Sequence, residues 1–212
     1  MTNNFDLMRE YMSDLGLTNK IVNADESDTF FDIQIIRRGK DHPNLPSANY
    51  IFKTYYVTSI EYYDRIIDEI IKCCDMFKMR AYISVNIKSR EKALKKSLEK
   101  MAHYNVINDY RSPWKAFPSI CGGLVGKDKR WVVDIDDCDE NSDKYKRIIS
   151  IIKQCKSSFD EPCICNIKTK SGIHVITHPF NLKDFKDICD QKNIEEPGVQ
   201  KNHLTLLYEN LN

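Results

Sequence analysis

Two short runs in the second half of the chain carry residue types suited to chemistry. The first reads Arg130-Trp131-Val132-Val133-Asp134-Ile135-Asp136-Asp137. Successive side chains of a strand point to opposite faces, so Trp131, Val133 and Ile135 share an apolar face while Val132, Asp134 and Asp136 share the other. Carboxylates at i and i+2 stand about 7 Å apart along a strand, close enough to hold divalent cations between them. The plainer reading is an exposed edge strand, but the fully apolar opposite face favours a metal-binding pair. The second run, Lys168-Thr169-Lys170-Ser171-Gly172-Ile173-His174-Val175-Ile176-Thr177-His178, sets Gly172, His174 and Ile176 against Ile173, Val175 and Thr177. Its leading Lys168, Lys170, Ser171 and Gly172 offer cationic, hydroxyl and backbone donors of the kind that receive phosphate. A lone strand histidine is usually structural. If this run lies beside the first, and helices cover Ile173 and Val175, His174 joins Asp134 and Asp136 on one face and the balance turns towards function.

The net charge of +1 averages two opposed segments. Residues 88–100 hold Lys88, Arg90, Lys92, Lys95, Lys96 and Lys100 against Glu91 and Glu99, whereas residues 134–143 hold six acidic side chains and no base. The basic run is either a solvated helix face or, with Arg80, a phosphate-tracking surface beside a cation-seeking centre. With 212 residues, 42% hydrophobic and 30% charged, the composition is globular. A chain of this length buries about 70% of its unfolded surface and folds without disulfides or metals. The eight cysteines include an adjacent pair, Cys73 and Cys74, and a CxC, Cys163 and Cys165, but no CxxC. They read as buried small hydrophobes in a reducing cytosol. No apolar run reaches the roughly 20 residues that span a bilayer. Asp6, Arg9 and Glu10 interrupt any N-terminal signal stretch, so a cytoplasmic protein with no membrane partner is expected.

The elements that must position these residues follow from periodicity. Residues 4–15 predict an amphipathic helix stopped by Gly16, and 30–37 and 50–57 predict strands separated by a Pro/Asn/Asp-rich loop. Ser59 caps a helix to about residue 77; a strand over 80–87 precedes a second helix, capped by Ser89, that carries the basic run. Proline and glycine mark 104–127 as a connection between lobes. Beyond it come a strand (130–137), a helix from Asn141 or Ser142, strands at 162–168 and 173–177, a helix at 182–189 and a last strand at 203–208. The expectation is an α+β protein: an N-terminal α/β lobe (1–127) packed on a C-terminal RRM-like, ferredoxin-like βαββαβ palm (128–212).

A strand ending in DxD, then a helix and a strand, then a strand opening on sGxH resembles the archaeo-eukaryotic primase superfamily of primase-polymerases. Residues 132–136 (VVDID) match its first motif and residues 171–174 (SGIH) its second, over a stretch from about Arg130 to Tyr208. KDKRWVVDID and ITHPFN are similar to small stand-alone members encoded by bacteriophages, which would place the protein in the host cytoplasm. The resemblance implies a two-metal nucleotidyltransferase that uses nucleoside triphosphates on single-stranded or primed DNA. Asp134 and Asp136 would hold Mg²⁺ or Mn²⁺, and Ser171 and His174 would contact the triphosphate. Arg80, Lys88, Arg90, Lys92, Lys95 and Lys96 would guide the template, and a replicative role would need a separately encoded helicase. The family's third motif, an aspartate on or before a late strand, has no counterpart in residues 195–209. Either Glu195 or Glu196 substitutes, or one metal binds weakly, or catalysis is lost.

Three other readings compete. One is a catalytically inactive accessory protein that keeps a primase-like fold and binds nucleic acid, since fold alone does not fix function. A two-histidine phosphoesterase fits His203-Leu204-Thr205 but needs a second HxT, and His174-Val175-Ile176-Thr177 has the wrong spacing. An RNA-recognition domain would show paired strand aromatics, which are not evident.

Overall fold

The computed structural model describes residues 1–20, 28–44, 48–110, 113–124, 126 and 128–210. Parts of the polar stretch near residue 20, of the loop after residue 40 and of the 104–127 connection therefore lie outside the described residues. In chain order the elements are β1 (Thr2–Asn3), α1 (Phe5–Asp14), β2 (Thr29–Arg37), a 3₁₀ turn (Gly39–Asp41), β3 (Tyr50–Val57), α2 (Ile60–Phe77), β4 (Arg80–Ser84) and β5 (Lys88–Ser89). They continue as α3 (Arg90–Val106), α4 (Pro113–Gly123), β6 (Trp131–Asp136), α5 (Asp143–Gln154), β7 (Cys163–Lys168), β8 (Gly172–Thr177), α6 (Leu182–Gln191), β9 (Gly198–Gln200) and β10 (Leu204–Glu209). The protein is α+β, with antiparallel sheets.

Local chemistry fixes the helix ends. The Ser59, Ser89 and Ser142 hydroxyls accept the N–H of Tyr62, Lys92 and Tyr145 at 3.1, 3.2 and 3.3 Å, satisfying donors that the first turn leaves without partners. After α1 the chain turns at Gly16 with φ +83°, a conformation that a side chain would strain. α1 and α2 bury Phe5, Met8, Met12, Tyr63, Ile66 and Ile70 against Phe31, Ile33 and Ile35 of the first sheet. α5 and α6 cover Val133, Ile135, Ile173 and Val175 with Ile148, Ile151, Ile152 and Phe185. Each such side chain contributes about 1.5–3 kcal/mol on burial. All eight cysteines are free thiols.

The first sheet runs β1-β10-β4-β2-β3, with β5 also on β2, and the second runs β7-β8-β6-β9. This corrects the expected last strand. β10 does not join the second sheet; it lies between β1 and β4 in the first, and β9 takes the place beside β6. The reason is burial: Thr205, Leu206, Leu207 and Tyr208 are all buried, and a run apolar on both faces suits an interior strand. The connection also differs from expectation. Residues 113–123 form a helix despite Pro118, because Cys121 and Leu124 pack with Phe30 and Ala93, and packing overrides local punctuation. The second sheet's other face is closed at one end, where Val132, Ile167 and Ile176 join the first core. Only the end bearing Asp134, Asp136 and His174 stays open.

Candidate functional site

Register brings the two runs together. In the β6–β8 pair Asp134 stands opposite His174, and Asp136 opposite Gly172. A Cβ on Gly172 would fall 2.1 Å from the Ile135 carbonyl oxygen, so glycine is what lets the strands approach here. Past β6, Asp137 adopts φ 52° and its N–H donates to the Ser171 carbonyl at 2.7 Å, while Thr169 N–H donates to the Gly172 carbonyl at 2.9 Å. These bonds pin the Thr169–Ser171 turn beside the carboxylates.

His174 is buried and engaged at both ring nitrogens. Nε2 lies 3.3 Å from Asp134 Oδ1 and Nδ1 lies 3.0 Å from the Thr205 hydroxyl. With Nε2–H donating to the carboxylate, Nδ1 accepts from Thr205, which orients the ring. Hydrogen bonding to His174 holds the Asp134 carboxyl below its ordinary range, and the charges of His174, His203 and Arg38 act in the same direction against the effect of burial. The His203 ring, 6.5 Å from that of His174, is itself held below the usual histidine value by burial and by His174, with Asp134 opposing.

The first sheet and the turn after β2 supply the opposite wall. Arg38 follows the end of β2, and its Nη1 donates to the Tyr82 hydroxyl at 3.3 Å. Arg80 donates to both Asp41 oxygens at 2.8 and 2.7 Å and contacts Glu209 at 3.1 Å, anchoring the turn that carries Lys40. Between the walls lies a cleft of about 650 Å³ that Arg38, Lys40, Arg80, Asp134, Asp136, Lys170, Ser171 and His174 all line. A carboxylate floor faces a cationic wall across it.

Of the residues singled out in the sequence, Asp134, Asp136, Lys170, Ser171, His174 and Arg80 meet in this cleft. Lys168 and Gly172 line an adjoining hollow of about 580 Å³ across the same turn. Lys88 must be corrected: only 2% of it is exposed and it is ion-paired with Asp32, so its charge is neutralised beneath the first sheet and does not guide a template. Arg80 is corrected likewise: it is buried and paired with Asp41 and Glu209, so it braces the cleft wall and does not guide a template. Arg90 is exposed where α3 begins, and Lys92, Lys95 and Lys96 border a separate groove. Glu195 and Glu196 are exposed and do not line the cleft, and Gly198 is the residue opposite Asp134. Sequence reasoning missed Arg38, Lys40, Asp41, Tyr82 and Thr205. The cluster Arg37-Arg38-Gly39-Lys40 at a strand end was the available signal for the first two.

Comparison of the chain with protein-family profiles, curated proteins and solved structures gives no match. What the cleft can do follows from its own donors. Paired carboxylates suit a hard cation, and the facing arginine and lysines suit a polyanion. Among the described residues no helix is long and apolar enough to cross a membrane.

Proposed function

We propose that the protein is a nucleotidyltransferase of the primase-polymerase type, acting on single-stranded or primed DNA. The observation that carries this reading is the register that sets Asp134 beside His174, with Asp136 on the same open face, across a cleft from Arg38 and Lys40. The sheet order β7-β8-β6-β9, with β-α-β-β-α-β connectivity, supports an RRM-like, ferredoxin-like palm.

Asp134 and Asp136 fit Mg²⁺ or Mn²⁺. Both are oxygen donors, and among the described residues no donor engages the Asp136 side chain. A bound cation supplies charge neutralisation at the attacking and leaving oxygens of an in-line displacement. The chain's own residues do the rest. Arg38, Lys40, Lys170 and Ser171 receive the triphosphate, and the Arg80–Asp41 pair holds the Lys40 turn in place; His174, whose two ring nitrogens face Asp134 and Thr205, keeps Asp134 oriented and ionised in place of the triphosphate contact expected of it.

The test is incorporation of labelled nucleotide on single-stranded and primed templates with Mn²⁺ or Mg²⁺. Wild type should incorporate, and Asp134→Ala/Asp136→Ala should not. A double variant as active as wild type refutes the assignment. One observation favours an inactive accessory protein instead: Gly198 stands opposite Asp134, and neither nearby glutamate reaches the cleft. That reading expects no incorporation with either metal.

A further inference from the structure

The basic helix α3 is bound to the protein by little of its surface. Ala93 is its buried residue, and it packs with Cys121 of α4 and with Leu124 just beyond it onto Phe30. Along β2, Phe30 shares its face with Asp32, Gln34 and Ile36, and Arg38 follows in step. The α3–α4 pair therefore sits on the sheet face whose far end forms the cationic wall of the cleft.

Lys92, Lys95 and Lys96 border a groove of about 490 Å³ whose other wall is Gly123 and Leu124. Lys95 pairs with Glu91 on the exposed surface, whereas Lys92 and Lys96 face no carboxylate among the described residues. Nothing lies within 4 Å of where a Gly123 Cβ would be, so the wall stays low there. The groove also leads somewhere. Asn202 Nδ2 donates to the Gly122 carbonyl at 2.7 Å, and the next residue, His203, packs beside His174. The end of α4 is thus tied to the segment that leads to the cleft.

We infer that this groove binds the phosphodiester backbone of a single strand of nucleic acid, continuous with the strand in the cleft. Four residues of helix advance about 6 Å, so Lys92 and Lys96 on one flank step at a spacing comparable to that of neighbouring phosphates in an extended strand. Binding of this kind is sequence-independent and salt-sensitive. The single-strand assignment rests on the polymerase reading of the cleft; the anionic character of the ligand rests on the groove alone.

The test uses the whole protein and a fluorescent 30-nucleotide single strand, without nucleotide or metal, titrated across a salt series. Lys92→Gln/Lys95→Gln/Lys96→Gln should weaken binding by roughly tenfold or more at low salt and flatten the log–log salt slope by about 2, near 0.7 for each phosphate no longer neutralised. Binding of a nucleoside triphosphate with Mn²⁺ should stay unchanged, while Arg38→Gln should show the reverse pattern. Equal strand affinity and slope in the triple variant overturns the inference, as does preference for a blunt duplex or an acidic peptide over the single strand. If wild type incorporates no nucleotide but the lysine variant still fails to hold the strand, the cleft reading fails and the groove stands.

Discussion

Gly172→Ala tests the register on which the site depends. The added Cβ would sit 2.1 Å from the Ile135 carbonyl oxygen and 3.0 Å from Asp136 Cα, and both are backbone atoms that no rotamer change can move aside. β8 must therefore shift away from β6 where Asp134 meets His174. Overpacking costs about 1–3 kcal/mol, and a backbone clash between central strands belongs at the upper end. For a chain of this size each kcal/mol moves Tm by about 2–4 °C, so the melt should fall by roughly 5–10 °C. Gly198→Ala is the matched control: it lies on the other neighbour of β6, and its Cβ would meet nothing within 4 Å. Its Tm should stay within about 2 °C of wild type, as surface changes usually do. Thermal melts of the three proteins by circular dichroism, with Mn²⁺ titration on each, decide the matter. A Gly172→Ala protein that melts like wild type and binds Mn²⁺ equally would refute the close-approach reasoning.

Lys88→Met should destabilise the fold by about 3–5 kcal/mol, because it leaves Asp32 buried without its partner. Urea unfolding would show this, and the Asp32→Asn/Lys88→Met double variant should recover part of the loss; wild-type stability in the single variant contradicts the buried pair. Asp134, held below its unfolded pKa of about 3.9, contributes stability above that pH and loses it as pH falls through the folded value. Asp134→Asn should therefore show a shallower fall of Tm on acidification below about pH 4 than wild type, and parallel curves would contradict the His174 hydrogen bond as its cause.

Legibility followed the range of the forces involved. Alternation in Trp131–Asp136 and Gly172–Thr177 reports which face is buried, and both faces agree with the structure: Val133, Ile135, Ile173 and Val175 beneath the helices, Asp134 and His174 opposite. Caps at Ser59, Ser89 and Ser142 are local and equally plain. The placement of β10 is not, because a strand buried on both faces carries no alternation to say which sheet it enters. Lys88 sits in a run of surface lysines, and nothing local distinguishes it from Lys92; its partner Asp32 is 56 residues away. Arg38 and Lys40 reach the cleft because the first sheet's core takes in Val132 and Ile176, an approach of the two sheets that local pattern does not encode.

The return of β10 to the first sheet also explains how two sheets build one site. Its Thr205 bonds His174 of the second sheet, and its Glu209 contacts Arg80 of the cationic wall. Asn4 adds a further tie, donating to the Lys168 carbonyl at 3.0 Å and to the Leu206 carbonyl at 2.9 Å. At the start of β6, Asn86 and Arg130 bond reciprocally, at 3.1 Å and 2.7 Å. The carboxylate floor and the cationic wall are thus tied to a common strand, the wall through backbone pairing with β4 and the floor through side-chain bonds. The second sheet alone would keep β6 through β9, yet it would lack the hydroxyl that orients His174 and the whole wall facing Asp134. The site belongs to neither sheet alone, since Arg38 and Lys40 come from the first and the carboxylates that suit a cation from the second, with β10 bonded to both sides.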